Sequence, residues 1–322
     1  MNHLMIGLGG TGGRVLRSFR KMVYLAHRDE GLPDTSIDYL FVDADPKSFL
    51  ADDPSWTVLG RSIALPKRSQ LEIQGANLNT IIDNLNSYPN LKPWLGDRSQ
   101  WREVLAGLNV DAAGGQKRRL GRFLFAMNVD KFNERVSSRV RDIQDAGKST
   151  DITFHVFAGL AGGTGSGSIV DVVAQLRKRF PSSDQRIFLY LYLPDQNPPQ
   201  NWNTGNYHSN AYAALLELNA MSAGAWAPFD VENGSGPVQV PGDLWFNGAY
   251  VFSDDNNQGF RASIEKDLPD IVADFAYHKT IAARGSGWDD LQRFENSENG
   301  DSTPEALSGS PKGQRSVRFL SF

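Results

Sequence analysis

Cysteine is absent from this chain of 322 residues. Its absence excludes disulfides, thiolate metal sites and a cysteine nucleophile, and it gives no hint of secretion. Histidine is scarce too. His3, His27, His155, His208 and His278 are too scattered to suggest a zinc cluster or a Ser/His/Asp triad, and they read as structural or exposed. No apolar run approaches the ~20 residues of a membrane span. The N-terminus reaches glycine by residue 7, which leaves no room for the hydrophobic region of a signal peptide. The expected location is cytoplasmic. Positive charge is not in excess either: the formal net charge of −4 argues against nucleic acid as a partner. What remains, 40% hydrophobic and 22% charged, is the composition of an ordinary globule long enough for one large or two ordinary domains.

Glycine, by contrast, is concentrated in two loops. Gly7-Leu8-Gly9-Gly10-Thr11-Gly12-Gly13 follows the apolar run His3–Ile6. Gly159-Leu160-Ala161-Gly162-Gly163-Thr164-Gly165-Ser166-Gly167-Ser168 follows Ile152–Phe157. Each runs into an amphipathic stretch, Val15–Tyr24 and Ile169–Leu176. Strand, glycine loop and helix together suit phosphate, because missing side chains let the backbone approach and N–H groups at the helix start face the anion. One such loop holds a mononucleotide or a pyrophosphate. Two imply a polyphosphate gripped from both sides, and so a nucleoside triphosphate.

Periodicity predicts alternating strands and helices, an α/β doubly wound, mainly parallel sheet with its ligand at the C-terminal strand ends. Strands are expected at His3–Leu8, Ile37–Val42, Asp151–Ala158, Arg186–Leu193 and Leu244–Phe252. Helices are expected at Gly12–His27, from about Gln116 to Gln144, and at Ser166–Arg179 and Tyr207–Met221. Ile264, Leu268, Ile271, Val272 and Phe275 mark a further long helix running to about Ala283. Residues 50–115 are less regular, with short helical patterns near Asn79–Leu85 and Gln100–Leu108. Residues 1–283 read as one nucleotide-binding domain. Residues 284–322 read as a polar loop or linker ending in Ser316–Phe322, which has the look of a strand that has barely begun.

Gly7-x-Gly9-x-x-Gly12, with Asp43 or Asp45 closing the second strand, satisfies the dinucleotide fingerprint and keeps an NAD(P) oxidoreductase as an alternative. Such an enzyme has no evident use for the second loop, which also lacks the lysine and spacing of a P-loop. Gly162-Gly163-Thr164-Gly165-Ser166-Gly167 instead resembles the signature loop of the tubulin/FtsZ superfamily, with Ala161 where that family usually has a third glycine. Ile6–Gly13 resembles the first phosphate loop of FtsZ. Val42-Asp43-Ala44-Asp45 resembles the acidic loop that approaches the nucleotide and its metal. Ala112-Ala113-Gly114-Gly115-Gln116 resembles the loop that senses the γ-phosphate. The four stand in family order across about residues 1–283, and the whole is similar to divergent bacterial tubulin-like proteins related to FtsZ.

The resemblance implies a GTP/GDP-binding domain, with Mg2+, that ends in a long central helix at about Arg261–Ala283. It also implies head-to-tail assembly with nucleotide between subunits. Gly9, Gly10, Thr11, Gly12, Gly13, Gln116, Thr164 and Ser166 would then surround the phosphates. Asn206, Asn210 and Asn256 are candidates for reading the base, each with the commoner alternative of an N-cap or turn asparagine. Lys117, Arg118, Arg119 and Arg122 read as a solvated helix face. In the family an acid from the neighbouring subunit orients water for hydrolysis. Asn296-Ser297-Glu298-Asn299-Gly300-Asp301 is a loose analogue of that loop, which makes Glu298 and Asp301 the catalytic candidates. A scaffold that senses nucleotide with little hydrolysis is the other reading.

Overall fold

The strands at the middle of this fold are buried along nearly their whole length, as a sheet covered on both sides requires. The computed structural model describes residues 1–28, 32, 35–50, 53–75, 78–95, 116–182, 184–198, 200, 202, 205–234, 236–240, 244–256 and 258–282. The six strands of the sheet are β1 (Asn2–Leu8), β2 (Ser36–Asp43), β5 (Gln70–Glu72), β6 (Ile152–Gly159), β7 (Gln185–Tyr192) and β8 (Gly248–Phe252). All pair in parallel, in the order β5-β2-β1-β6-β7-β8. A separate antiparallel pair, β3 (Thr57–Val58) and β4 (Arg61–Ser62), and the strand β5 lie in the stretch that periodicity leaves irregular. β5 meets β2 only along Phe41–Asp43.

One sheet face is aliphatic and the other aromatic. Leu4, Ile6, Leu40, Val156, Leu189 and Leu191 are buried beneath four helices: α4 (Arg118–Met127), α5 (Val129–Gly147), α6 (Thr164–Arg179) and α7 (Tyr207–Ser222). Met5, Phe157, Phe188, Tyr190, Tyr250 and Phe252 are buried beneath α1 (Gly9–His27) and α8 (Asp267–Tyr277). Two short helices, α2 (Leu78–Asp83) and α3 (Lys92–Leu95), complete the α-helices among the described residues. The outer face of α1 is less bare than its arginines suggest. Arg20 donates to the Ile63 carbonyl at 2.7 Å and stacks 4.7 Å from the Tyr39 ring centroid, which fastens the β3–β4 region to α1.

Two helices differ from expectation. The run from Gln116 to Gln144 is interrupted at Asn128, where the backbone leaves the helical region. There the Asn128 amide donates to the Leu124 carbonyl at 2.8 Å and to the Gln74 carbonyl at 2.8 Å, which fixes the bend. The central helix begins at Asp267 rather than near Arg261, because Arg261 bridges back to Asp255 and Ser263 turns the chain. Ser263 N–H donates to the Asp267 carboxylate at 2.9 Å, and the Ser263 carbonyl accepts from Asp267 and Leu268 N–H at 3.0 Å each. At its other end α8 widens into a π turn over His278–Ala282. The Gln100–Leu108 pattern and the linker and strand expected in 284–322 lie outside the described residues.

The aromatic face buries a polar chain that distance in sequence conceals. His3 Nδ1 lies 3.0 Å from His155 Nε2, and His155 Nδ1 lies 2.9 Å from the Tyr190 hydroxyl. These histidines are therefore neighbours, not scattered. Lys279 on the π turn is also buried; its Nζ lies 3.2 Å from the Tyr250 hydroxyl and 4.2 Å from the centre of the Phe188 ring. Burial first, and Arg186 second, push Lys279 down from 10.5 to about 7. Burial likewise pushes His3 down to about 3.

In both cases the unfolded chain holds a proton that the folded one has released, so stability rises with pH through the window between the two values. For Lys279 that window is about 7 to 10.5, and the contribution is at its floor below it. Lys279→Met should raise stability at pH 7 and flatten its rise between pH 7 and 9. The slope removed should be at most about 1.4 kcal/mol per pH unit. Urea denaturation at pH 7, 8 and 9 checks this, and an unchanged slope in the variant would refute it.

Candidate functional site

Strand order decides where a ligand can sit. From β1 the chain runs outward through β2 to β5, then crosses back to β6 and proceeds to β7 and β8. The boundary between β1 and β6 is thus a switch point, where open α/β sheets bind ligands beyond the carboxyl ends of the strands. Both glycine loops leave the sheet there, from Leu8 and Gly159, with Leu8 in register with Ala158. Each opens a helix, α1 or α6. Neither helix has a side-chain cap or an acidic residue in its first turn. Their leading N–H groups and positive dipole ends are left to an external anion.

A cavity of about 290 Å³ lies between the loops. Leu8, Gly9, Gly10 and Thr11 line it from the first loop, and Gly159, Gly162, Gly163, Thr164 and Gly165 from the second. The loops are in close contact. Gly9 has φ +68°, and a Cβ on it would lie 3.1 Å from the Gly165 nitrogen. A Cβ on Gly165 would lie 3.0 Å from both the Leu8 and Gly159 carbonyl oxygens. A side chain on Gly13 would run into the Phe41 ring, and one on Gly12 would lie 2.8 Å from the Gly7 carbonyl carbon. Gly167 passes as closely against α4, where a Cβ would lie 2.8 Å from the Arg122 nitrogen. Gly10 has nothing within 4 Å of such an atom, and Gly162 only the Gly159 oxygen at 3.9 Å. The motif therefore mixes glycines that let backbones pack with glycines that leave the cavity open.

The remaining wall is polar. Asp43 and Asp45 come from the end of β2, Ser48 from the 3-10 turn Pro46–Phe49, Gln116 from the approach to α4 and Arg14 from α1. Asp43 accepts from Ala44 N–H and from the Ser48 hydroxyl, at 2.7 Å each. Its burial raises its pKa, and these hydrogen bonds oppose the rise. Asp45 caps the 3-10 turn by accepting from Lys47 N–H at 3.0 Å. Sequence reasoning missed Arg14 and Ser48. Arg14 lies one turn beyond Gly10, a spacing that points it to the same helix end. Ser48 carried no signal of its own.

Several sequence candidates lie away from this cavity. The Ser166 hydroxyl is buried, donating to the Asn210 carbonyl at 3.2 Å and accepting from Arg118 Nε at 3.2 Å. Asn210 spends its amide N–H groups on the Gln116 carbonyl at 2.7 Å and the Ala161 carbonyl at 3.0 Å, clasping the second loop to the approach to α4. Asn256 closes its own turn, accepting from Gln258 and Phe260 N–H at 3.0 Å each. Asn206 is exposed and precedes α7 without a side-chain cap. Gly114, Gly115, Glu298 and Asp301 lie outside the described residues. The basic cluster is the solvated face expected of it only in part: Arg119 is exposed, but Arg118 and Arg122 are engaged. Arg122 makes a bidentate pair with buried Asp171 at 2.8 and 2.9 Å, and Arg118 pairs with Glu217 on α7 at 2.9 Å.

Comparison with known proteins bears on this geometry. The solved structure of CetZ from Methanosaeta thermophila strain DSM 6194 is similar in fold, with a TM-score of 0.52 at 16% identity, over 92% of this chain and 59% of that one. CetZ1 from Haloferax volcanii, a GDP-bound monomer, gives a TM-score of 0.49 at 15% identity, over 92% of this chain and 64% of that one. CetZ2 from Haloferax volcanii, a GTPgS-bound protofilament, gives 0.48 at 12%, over 91% and 62%. The chain thus spans roughly three-fifths of the length of these solved structures. No curated protein matches it. A family model described as "Tubulin like" matches residues 4–316, nearly the whole chain. Two glycine loops meeting at the switch point of a parallel sheet agree with that match, and the chain belongs to the tubulin-like family.

Proposed function

We propose that the chain binds GTP through its two glycine loops, and that bound nucleotide governs head-to-tail self-association. The observation that carries the reading is the meeting of two uncapped helix N-termini at one cavity. Membership of the tubulin-like family supports guanine as the base and assembly as the outcome. Asp43 and Asp45 on the cavity fit Mg2+, which is commonly held by one or two carboxylates together with waters and phosphate oxygens. Bound there, the ion would offset phosphate charge. Hydrolysis would require an acid from a second subunit, with Glu298 or Asp301 as the candidates. A nucleotide sensor that turns over slowly is the second reading, since the loop carrying Glu298 and Asp301 matches the family's acidic pattern only loosely.

Gly10 and Gly165 separate binding from folding. Gly10→Val should abolish nucleotide binding with little loss of thermal stability, since its side chain enters open cavity. Gly165→Val should lower the melting temperature even without ligand, because its side chain meets two backbone oxygens. Near-normal affinity in Gly10→Val would sink the phosphate-loop assignment. A competition titration should show GTP bound at least tenfold more tightly than ATP; equal affinities would remove the guanine reading.

If two subunits complete the site, turnover per molecule should climb with protein concentration, and Glu298→Ala or Asp301→Ala should slow turnover without weakening binding. A specific rate that stays constant down to dilute monomer would exclude the shared site. Hydrolysis undetectable at every concentration would favour the sensor.

A further inference from the structure

Arg14 belongs to two neighbourhoods. It lines the phosphate cavity, and its Nη2 also lies 3.6 Å from Glu265 Oε1. Glu265 stands in the turn that leads into α8, between Ser263 and Asp267, which hold the helix start through their mutual hydrogen bonds. The same two segments approach elsewhere, since α1 and α8 pack together on the aromatic face and Arg17 feels the charge of Asp270. The Arg14 and Glu265 side chains are 30% and 53% exposed, so water screens their attraction and the pair is weak. A phosphate offers the guanidinium more charge and a bidentate set of oxygens. It would meet Arg14 where two helix N-termini already favour an anion.

We propose that Arg14 changes partner when the cavity fills, leaving the Glu265 carboxylate for a nucleotide phosphate and thereby removing one tether of the turn that starts the central helix. Glu265 acts as an internal competitor for the site, and the exchange carries occupancy of the cavity to α8. The proposal rests on the reading of the cavity as a phosphate site. It adds a binding residue outside the glycine loops and a route by which the site communicates with the far helix.

Titration calorimetry on the full chain with GTPγS tests the exchange. Glu265→Gln should tighten binding about two- to fivefold, the scale of an exposed ion pair. Arg14→Ala should weaken binding about tenfold or more, as loss of a charged hydrogen bond does. In the Arg14→Ala background, Glu265→Gln should have no further effect. Hydrogen exchange over residues 263–268 should quicken when saturating GTPγS is added to the wild type. In Arg14→Ala it should already be fast and should not respond. An affinity unchanged or weakened by Glu265→Gln, or tightened equally in both backgrounds, overturns the exchange while leaving the phosphate site standing. A wild-type chain that binds no GTPγS overturns both.

Discussion

Parallel pairing of β1 with β6 is the contact on which the functional geometry depends. These strands lie about 150 residues apart in the chain, yet their register sets two loops side by side at one edge of the sheet. A side chain on Gly9 would crowd the Gly165 nitrogen and one on Gly165 the Leu8 carbonyl, and the positive φ of Gly9 disfavours a side chain in any case. The loops therefore behave as one unit, with two helix dipoles converging on a single cavity. A shift of one residue between the strands would exchange the faces of β1 and separate the loops. Core packing and the site are consequently fixed by the same hydrogen-bonded ladder.

The helices around this unit are held by buried charge as well as by apolar packing. Asp171 on α6 is buried and faces the Arg122 guanidinium, which also stacks 4.6 Å from the centre of the Trp94 ring. Burial raises the Asp171 pKa, while Arg122 favours its charged form. Removing either partner would leave a charge in a dry environment, which costs far more than the net worth of the pair. Such a pair gives α4 one azimuth relative to α6, the helix that opens at the second glycine loop. Arg118, Glu217 and Asn210 extend the constraint to α7. Three helices thus hold the walls of the cavity in place.

The parts legible in the sequence were those that the backbone dictates locally. Glycine loops after apolar strands announced both halves of the site, and hydrophobic period placed most strands to within a residue or two. Less legible were features made by contacts between distant segments. The bend at Asn128 depends on the Gln74 carbonyl, which no helical pattern reveals. The late start of α8 depends on the bridge between Asp255 and Arg261. His3 and His155 look unrelated until the sheet sets them together, and Arg122 looks solvated until Asp171 is seen opposite it. Asn210 reads in the sequence as a candidate for the base, but its amide hydrogens face backbone carbonyls. Sequence alone does not distinguish an asparagine that reads a ligand from one that fastens a loop.

The short strand β5 has a consequence for how the sheet ends. It pairs with only the last three residues of β2, so among the described residues Ser36–Leu40 have no strand partner on that side. An exposed row of backbone donors and acceptors is a template for another chain, and proteins commonly blunt it with charge. Asp38 lies in this stretch. Its carboxylate accepts from the Tyr39 N–H at 2.8 Å, and its other oxygen lies 3.3 Å from Arg139 Nη1. A strand arriving along this margin would have to displace a carboxylate from the backbone and break its ion pair. This margin of the sheet is thereby guarded against sideways pairing.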